Sequence, residues 1–70
     1  MDRQSVVSSN LEDVGYDPET RTLEVGFIGG KVYQYKDVPQ ETYDGLMAAS
    51  SHGSYFYHNV RDVYSYERVQ

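Results

Sequence analysis

The run from Leu23 to Lys36, LEVGFIGGKVYQYK, restricts the fold more than any other stretch, because the register of one hairpin decides what the core is made of. Leu23-Glu24-Val25-Gly26-Phe27 alternates apolar positions at period two and reads as a half-buried strand, and the segment from Gly30 to Val38 reads as the strand that returns. Two loops compete to join them. A three-residue loop, Ile28-Gly29-Gly30, puts Gly30 at the left-handed position of a type I turn plus bulge and pairs Val25 with Tyr33 and Leu23 with Tyr35. A two-residue Gly29-Gly30 turn shifts the pairing by one step, which moves every side chain of the second strand to the other face. Gln34 and Lys36 would then enter the core, where an unpartnered amide costs roughly 1–3 kcal/mol and a buried lysine costs more. The three-residue loop is therefore expected. It assigns Tyr33 and Tyr35 to the core side, with their hydroxyls at its margin, and leaves Gln34 and Lys36 to water.

The same logic extends to both sides. Val14-Gly15-Tyr16 alternates as a strand, and a four-residue loop from Pro18 to Arg21 sets Tyr16 opposite Leu23 and Val14 opposite Val25. After the hairpin, Asp37-Val38-Pro39-Gln40 reads as a helix start, with Asp37 as N-cap and Pro39 in the first turn. Pro39, Tyr43, Leu46 and Met47 then make one apolar stripe able to cover the tyrosine face, while Gln40, Glu41 and Asp44 face solvent. Ser51 can cap a second helix in which Phe56, Val60 and Val63 recur at helical spacing. Tyr64 to Arg68 return to alternation, as a short segment along a sheet edge. The expected architecture is α+β, a three-stranded antiparallel meander covered on one face by two C-terminal helices. Residues 1–70 form a single domain, and residues 1–8 are expected to be a poorly ordered N-terminus.

Composition limits what such a domain can do. Seventy residues are too few for a second core, and a chain of this size buries only about 60% of its unfolded surface. With no cysteine, disulfides and the thiolate zinc sites are excluded. No apolar run approaches the roughly 20 residues of a membrane span, and MDRQSVVSSN lacks the apolar centre of a secretory signal, so a soluble, cytoplasmic protein is expected. The net charge is −5, all of it in residues 1–50, where nine acidic side chains outnumber four basic ones. Residues 51–70 balance Arg61 and Arg68 against Asp62 and Glu67 and hold both histidines, His52 and His58. An acidic chain repels the phosphate backbone, which argues against DNA and against any strong nucleic-acid binder.

Six blocks of this chain, Ser9-Asn10, Gly15-Tyr16-Asp17-Pro18, Leu23-Glu24-Val25, Tyr33-Gln34-Tyr35, Val38-Pro39 and Gly53-Ser54-Tyr55-Phe56, stand in the order seen in the KTSC domain. The resemblance runs from about Ser9 to Val69. It departs at Tyr57, where a small polar residue is usual, and at Ser65, where the family has proline. That family is named for its presence at the C-terminus of some lysyl-tRNA synthetases, and it also occurs as a small stand-alone protein. The resemblance implies RNA, tRNA in particular, as a conjectural ligand and carries no catalytic residue.

The chemistry on offer is otherwise sparse. His52 and His58 are six apart and do not share a helix face, and His58 with Asp62 supplies two ligands where a structural zinc takes four. Asp17 to Arg21 lacks the spacing of a calcium loop. Gly26, Gly29 and Gly30 lack the lysine–serine/threonine pair of a phosphate loop. No metal, no cofactor and no catalysis are expected. What remains is the tyrosines, eight in all, four of them within residues 51–70. Tyr55, Tyr57, His58, Arg61, Tyr66 and Arg68 form a candidate aromatic and basic surface, with Tyr57, His58, Arg61 and Arg68 at its centre. Tyr55 and Tyr66 can instead turn inward, since about half of these rings are needed to cover the second helix. Such planes stack unpaired bases, and they are equally at home in protein–protein contacts. The expected function is that of a small monomeric accessory module binding RNA through this patch, or alternatively a protein docking on it or on a sheet edge.

Overall fold

A computed structural model describes all 70 residues. The chain runs as β1 (Gln4–Ser5), β2 (Leu11–Asp17), β3 (Thr22–Phe27), β4 (Val32–Tyr35), α1 (Gln40–Ala48), α2 (His52–Asn59) and β5 (Tyr66–Arg68). The strands form one antiparallel sheet in the order β1-β2-β3-β4-β5. The α+β class and the central meander agree with the sequence reading, but the sheet has five strands rather than three. The two additions are edge strands: β1, of two residues, is too short to display a period, whereas β5, of three, is the expected edge segment. Part of the N-terminal segment pairs with β2, and the C-terminal alternation pairs with β4.

The central register is the one the polar side chains demand. Val25 pairs with Tyr33, Leu23 with Tyr35, Val14 with Val25 and Tyr16 with Leu23. Lys31 accepts from the Phe27 amide across a three-residue loop, and the Gly30 amide closes a turn on the Phe27 carbonyl. Gly29 and Gly30 take φ values of 108° and 100°. Positive φ at the third residue of the Phe27–Gly30 turn is the mark of type II, so two left-handed glycines replace the type I turn and single bulge expected.

The helices cover the face on which Val14, Leu23, Val25 and Tyr35 lie, and these join Leu11, Val38, Leu46, Phe56 and Val60 in one buried cluster. α1 begins differently from expectation. Asp37 has φ 57° and lies outside the helix, and Pro39 occupies the N-cap without a side-chain bond. The left-handed turn at Asp37 lets the Val38 amide bond the Arg21 carbonyl and sends Val38 into the core, a tertiary demand that outweighs capping. Ser51 does cap α2, accepting from the Ser54 amide at 3.2 Å. α2 stops at Asn59, so Phe56 and Val60 are buried whereas Val63 is exposed beyond it. No helix is long and apolar enough to cross a membrane.

The opposite face of the sheet is less open than its residue types suggest. Arg3 lies across it and bonds Asp13 at 2.9 Å and Glu24 at 2.6 Å, Gln34 donates to Glu24 at 2.8 Å, and Lys36 donates to Gln34 at 3.0 Å. Gln34 and Lys36 thus avoid the core, as expected, but half-buried in a polar network rather than free in water. Burial alone would raise the Glu24 carboxyl, yet the hydrogen bonds from Gln34 and Arg3 and the Arg3 charge outweigh it, so Glu24 titrates below the usual carboxylate range.

Candidate binding groove

Between α2 and the β3–β4 hairpin the helical layer does not reach the edge of the sheet. The gap is an open groove of about 670 Å³ whose walls include Phe27, Tyr33 and Tyr66 from the sheet and Phe56, Tyr57 and Arg61 from α2 and the turn after it. Its aromatic floor is continuous. Phe27 meets both Tyr33 and Phe56 edge-on at 5.6 and 5.4 Å, and Tyr66 lies 5.6 Å from Tyr33 and 5.7 Å from Tyr35. The floor forms because register puts Phe27, Tyr33, Tyr35 and Tyr66 on the helix-side face, while α2 ends too soon to cover them all. Tyr35 is only 3% exposed, whereas Tyr66 and Tyr57 remain 60% and 55% exposed at the two rims. Arg61 sits 5.2 Å from the centre of the Tyr57 ring, a cation–π stack that presents a planar surface with a positive charge. Lys31 adds a second cation and Asp62 the one acidic group.

The six patch residues do not stay together. Tyr57, Arg61 and Tyr66 converge on the groove. Tyr55 turns toward α1, where its hydroxyl occupies the space a side chain at Gly45 would need. His58 packs edge-on against Tyr57 at 5.3 Å and is exposed outside the groove. Arg68 pairs with Tyr33 in register but donates to the Gln70 carbonyl, and it lines no part of the groove. Tyr33 and Tyr35, assigned to the core, serve core and groove floor at once. Phe27 and Lys31 escaped the sequence reading. Phe27 shares the face of Val25 and Tyr33, and that shared parity was the signal available for it. Lys31 lies just past the turn, where no periodicity speaks. No three His, Cys, Asp or Glu side chains gather closely enough to hold a metal ion.

A second cleft, of about 500 Å³, adjoins the groove and shares Ser9, Asn10 and Tyr57 with it. It is lined chiefly by serines of the loop before β2 and of the α1–α2 connection. The two segments meet at Gly53, where a Cβ would clash with Asn10 Oδ1. His52 closes the cleft from the α1 side, its Nδ1–H donating to the Leu46 carbonyl at 2.8 Å.

The model of the KTSC domain family matches residues 7–64. This chain is a KTSC domain. Its relatives include an uncharacterised protein of Stutzerimonas stutzeri, 45% identical over 80% of this chain and 79% of its own length. A lysine–tRNA ligase of Nostoc is 35% identical over 77% of this chain, which corresponds to 10% of the ligase. In structure, a crystallised KTSC domain protein of Yersinia pestis superposes with a TM-score of 0.93 at 34% identity, covering 99% of this chain and 97% of the other. The matched span takes in β2 to β4 and both helices, so of the groove walls only Tyr66 lies beyond it.

Proposed function

We propose that this KTSC domain is a non-catalytic, monomeric binding module that takes a short stretch of single-stranded RNA in the aromatic groove. The observation carrying this reading is the pair of exposed rings, Tyr57 and Tyr66, flanking a half-buried tyrosine in an open groove that also holds Lys31 and Arg61. Stacking on aromatic and guanidinium planes contributes roughly 1–3 kcal/mol per base and tolerates any sequence. The similarity to segments of lysine–tRNA ligases makes tRNA the natural context and the cytoplasm the natural place. Two cations engaging phosphates give a logarithmic salt slope of about −1.4 for a single strand, which is modest and suits a chain of net charge −5.

The test is a titration of labelled oligouridylate by fluorescence anisotropy. Affinity should fall about sevenfold between roughly 50 and 200 mM salt. Tyr66→Ala should weaken binding at every salt concentration, and Arg61→Ala should also cut the slope by about 0.7. Absence of binding at the lowest salt overturns the RNA reading. A second reading, a protein docking in the same groove, is favoured by the acidic net charge and by Ile28, an exposed apolar residue on the groove wall. Its sign is an affinity for the partner that barely changes with salt.

A further inference from the structure

We infer that the serine-lined cleft beside the aromatic groove is a ribose-reading extension of the same site, so that the domain prefers RNA to DNA of equal sequence. This inference rests on the RNA reading of the groove. The two cavities meet at Ser9, Asn10 and Tyr57, so a strand with one base on the Tyr57 ring runs on into the cleft. The chemistry changes at that junction. The groove is aromatic and holds cations, whereas no Lys, Arg, Asp or Glu lines the cleft. Without Lys or Arg the cleft offers a phosphate no guanidinium or ammonium, but it is well supplied for neutral hydroxyl groups.

The supply can be counted atom by atom. Ser8 Oγ is used, donating to Asn10 Oδ1 and accepting from the Asn10 and Leu11 amides. Ser51 Oγ is used as the cap of α2, which also satisfies the Ser54 amide, and the Tyr55 amide bonds the Ser51 carbonyl. The hydroxyls of Ser9, Ser50 and Ser54 and the side-chain Nδ2 of Asn10 bond no other protein group, and His52 retains Nε2 because Nδ1 is engaged. Three hydroxyls that donate and accept, one amide donor and one imidazole nitrogen form a mixed set. The 2′-hydroxyl of ribose also donates and accepts, and it is the group by which a protein tells RNA from DNA. Asn10 approaches Gly53 too closely for any side chain there, so the two walls of the cleft meet at this point.

The experiment compares oligouridylates of two to six nucleotides with deoxyuridine oligomers of the same lengths, on the wild type and on Ser54→Trp. Ser54 is exposed at the start of α2 and lines the cleft but not the groove, so the indole should fill the cleft without disturbing the core. In the wild type, dinucleotides of both sugars should bind alike. The longer ribo-oligomers should bind about five- to thirtyfold more tightly than their deoxy counterparts, the yield of one or two neutral hydrogen bonds. That ratio should not change between roughly 50 and 200 mM salt, because no cation takes part. Ser54→Trp should keep dinucleotide affinity and lose the ribose preference. Equal affinity for both sugars at every length, or a preference that survives in Ser54→Trp, overturns the cleft assignment while the groove reading stands. Failure of every oligomer to bind overturns both.

Discussion

At the scale of single residues, Tyr35 shows how core and groove share one side chain. Its ring packs edge-on against Phe56 at 5.5 Å within the buried cluster, and its hydroxyl opens on the groove. Burial first, and then the neighbouring Tyr33 and Tyr66 phenols, push its pKa up to about 12. A raised folded-state value means that its share of stability is complete below pH ~10 and is lost as pH rises toward 12. Chemical denaturation should show stability falling by about 2–3 kcal/mol across that interval, and Tyr35→Phe should flatten the fall. A wild-type curve that is level over the interval would show that the phenol is not held neutral. Tyr35→Ala should cost roughly 3–5 kcal/mol, the loss expected for a large buried aromatic. Tyr33, half-exposed on the groove floor, should cost only about 1–2 kcal/mol. This difference separates two tyrosines that the sequence placed together. Parity put both on the inner face correctly, but how far each lies beneath a helix depends on where α2 ends.

Elements differ in how plainly the sequence announces them. Ser51 stands three residues before the amide it caps, so α2 was visible, and Ser51→Ala should lower stability by about 1 kcal/mol without altering the groove. Equal stability in thermal melts would mean that the α2 start is held by packing alone. The central strands were legible because polar residues at alternate positions had a single tolerable face. The start of α1 was misread because the residues at Asp37 to Gln40 satisfy a capping rule that tertiary geometry does not use. There the chain turns through a left-handed aspartate so that Val38 can pack. β1 was illegible in a different sense, whereas the alternation of Tyr64 to Arg68 announced β5 as an edge segment. A strand of two residues carries no period, and its pairing follows from the edge that the central meander offers. The groove followed the same division. Tyr57, Arg61 and Tyr66 were named from composition, while Phe27 and Lys31 needed the fold to bring a hairpin beside α2.

For the whole molecule, the acidic balance is managed on the face away from the helices. Arg3 pairs with both Asp13 and Glu24, and the lowered Glu24 carboxyl contributes stability that is present above pH ~4.3 and lost as pH falls further. Arg3→Ala should destabilise the domain by roughly 1–2 kcal/mol near neutral pH, discounted for the partial exposure of the pair. It should also make stability less sensitive to acid below about pH 5, which denaturant titrations at several pH values would register. An unchanged acid profile would remove Glu24 from that role. The same N-terminal residues have a further effect. β2 is seven residues long, and β1 occupies the part of its outer edge around Asp13 and Val14. A long strand with vacant amides and carbonyls invites a second chain to add on, and a short, fully exposed partner strand blocks that without offering much of an edge itself. The ends of this sheet should therefore govern how many copies travel together. Deleting residues 1–5 should convert a single slow boundary in sedimentation velocity into concentration-dependent dimers or larger species joined through β2, whereas the intact chain should sediment alike at every loading.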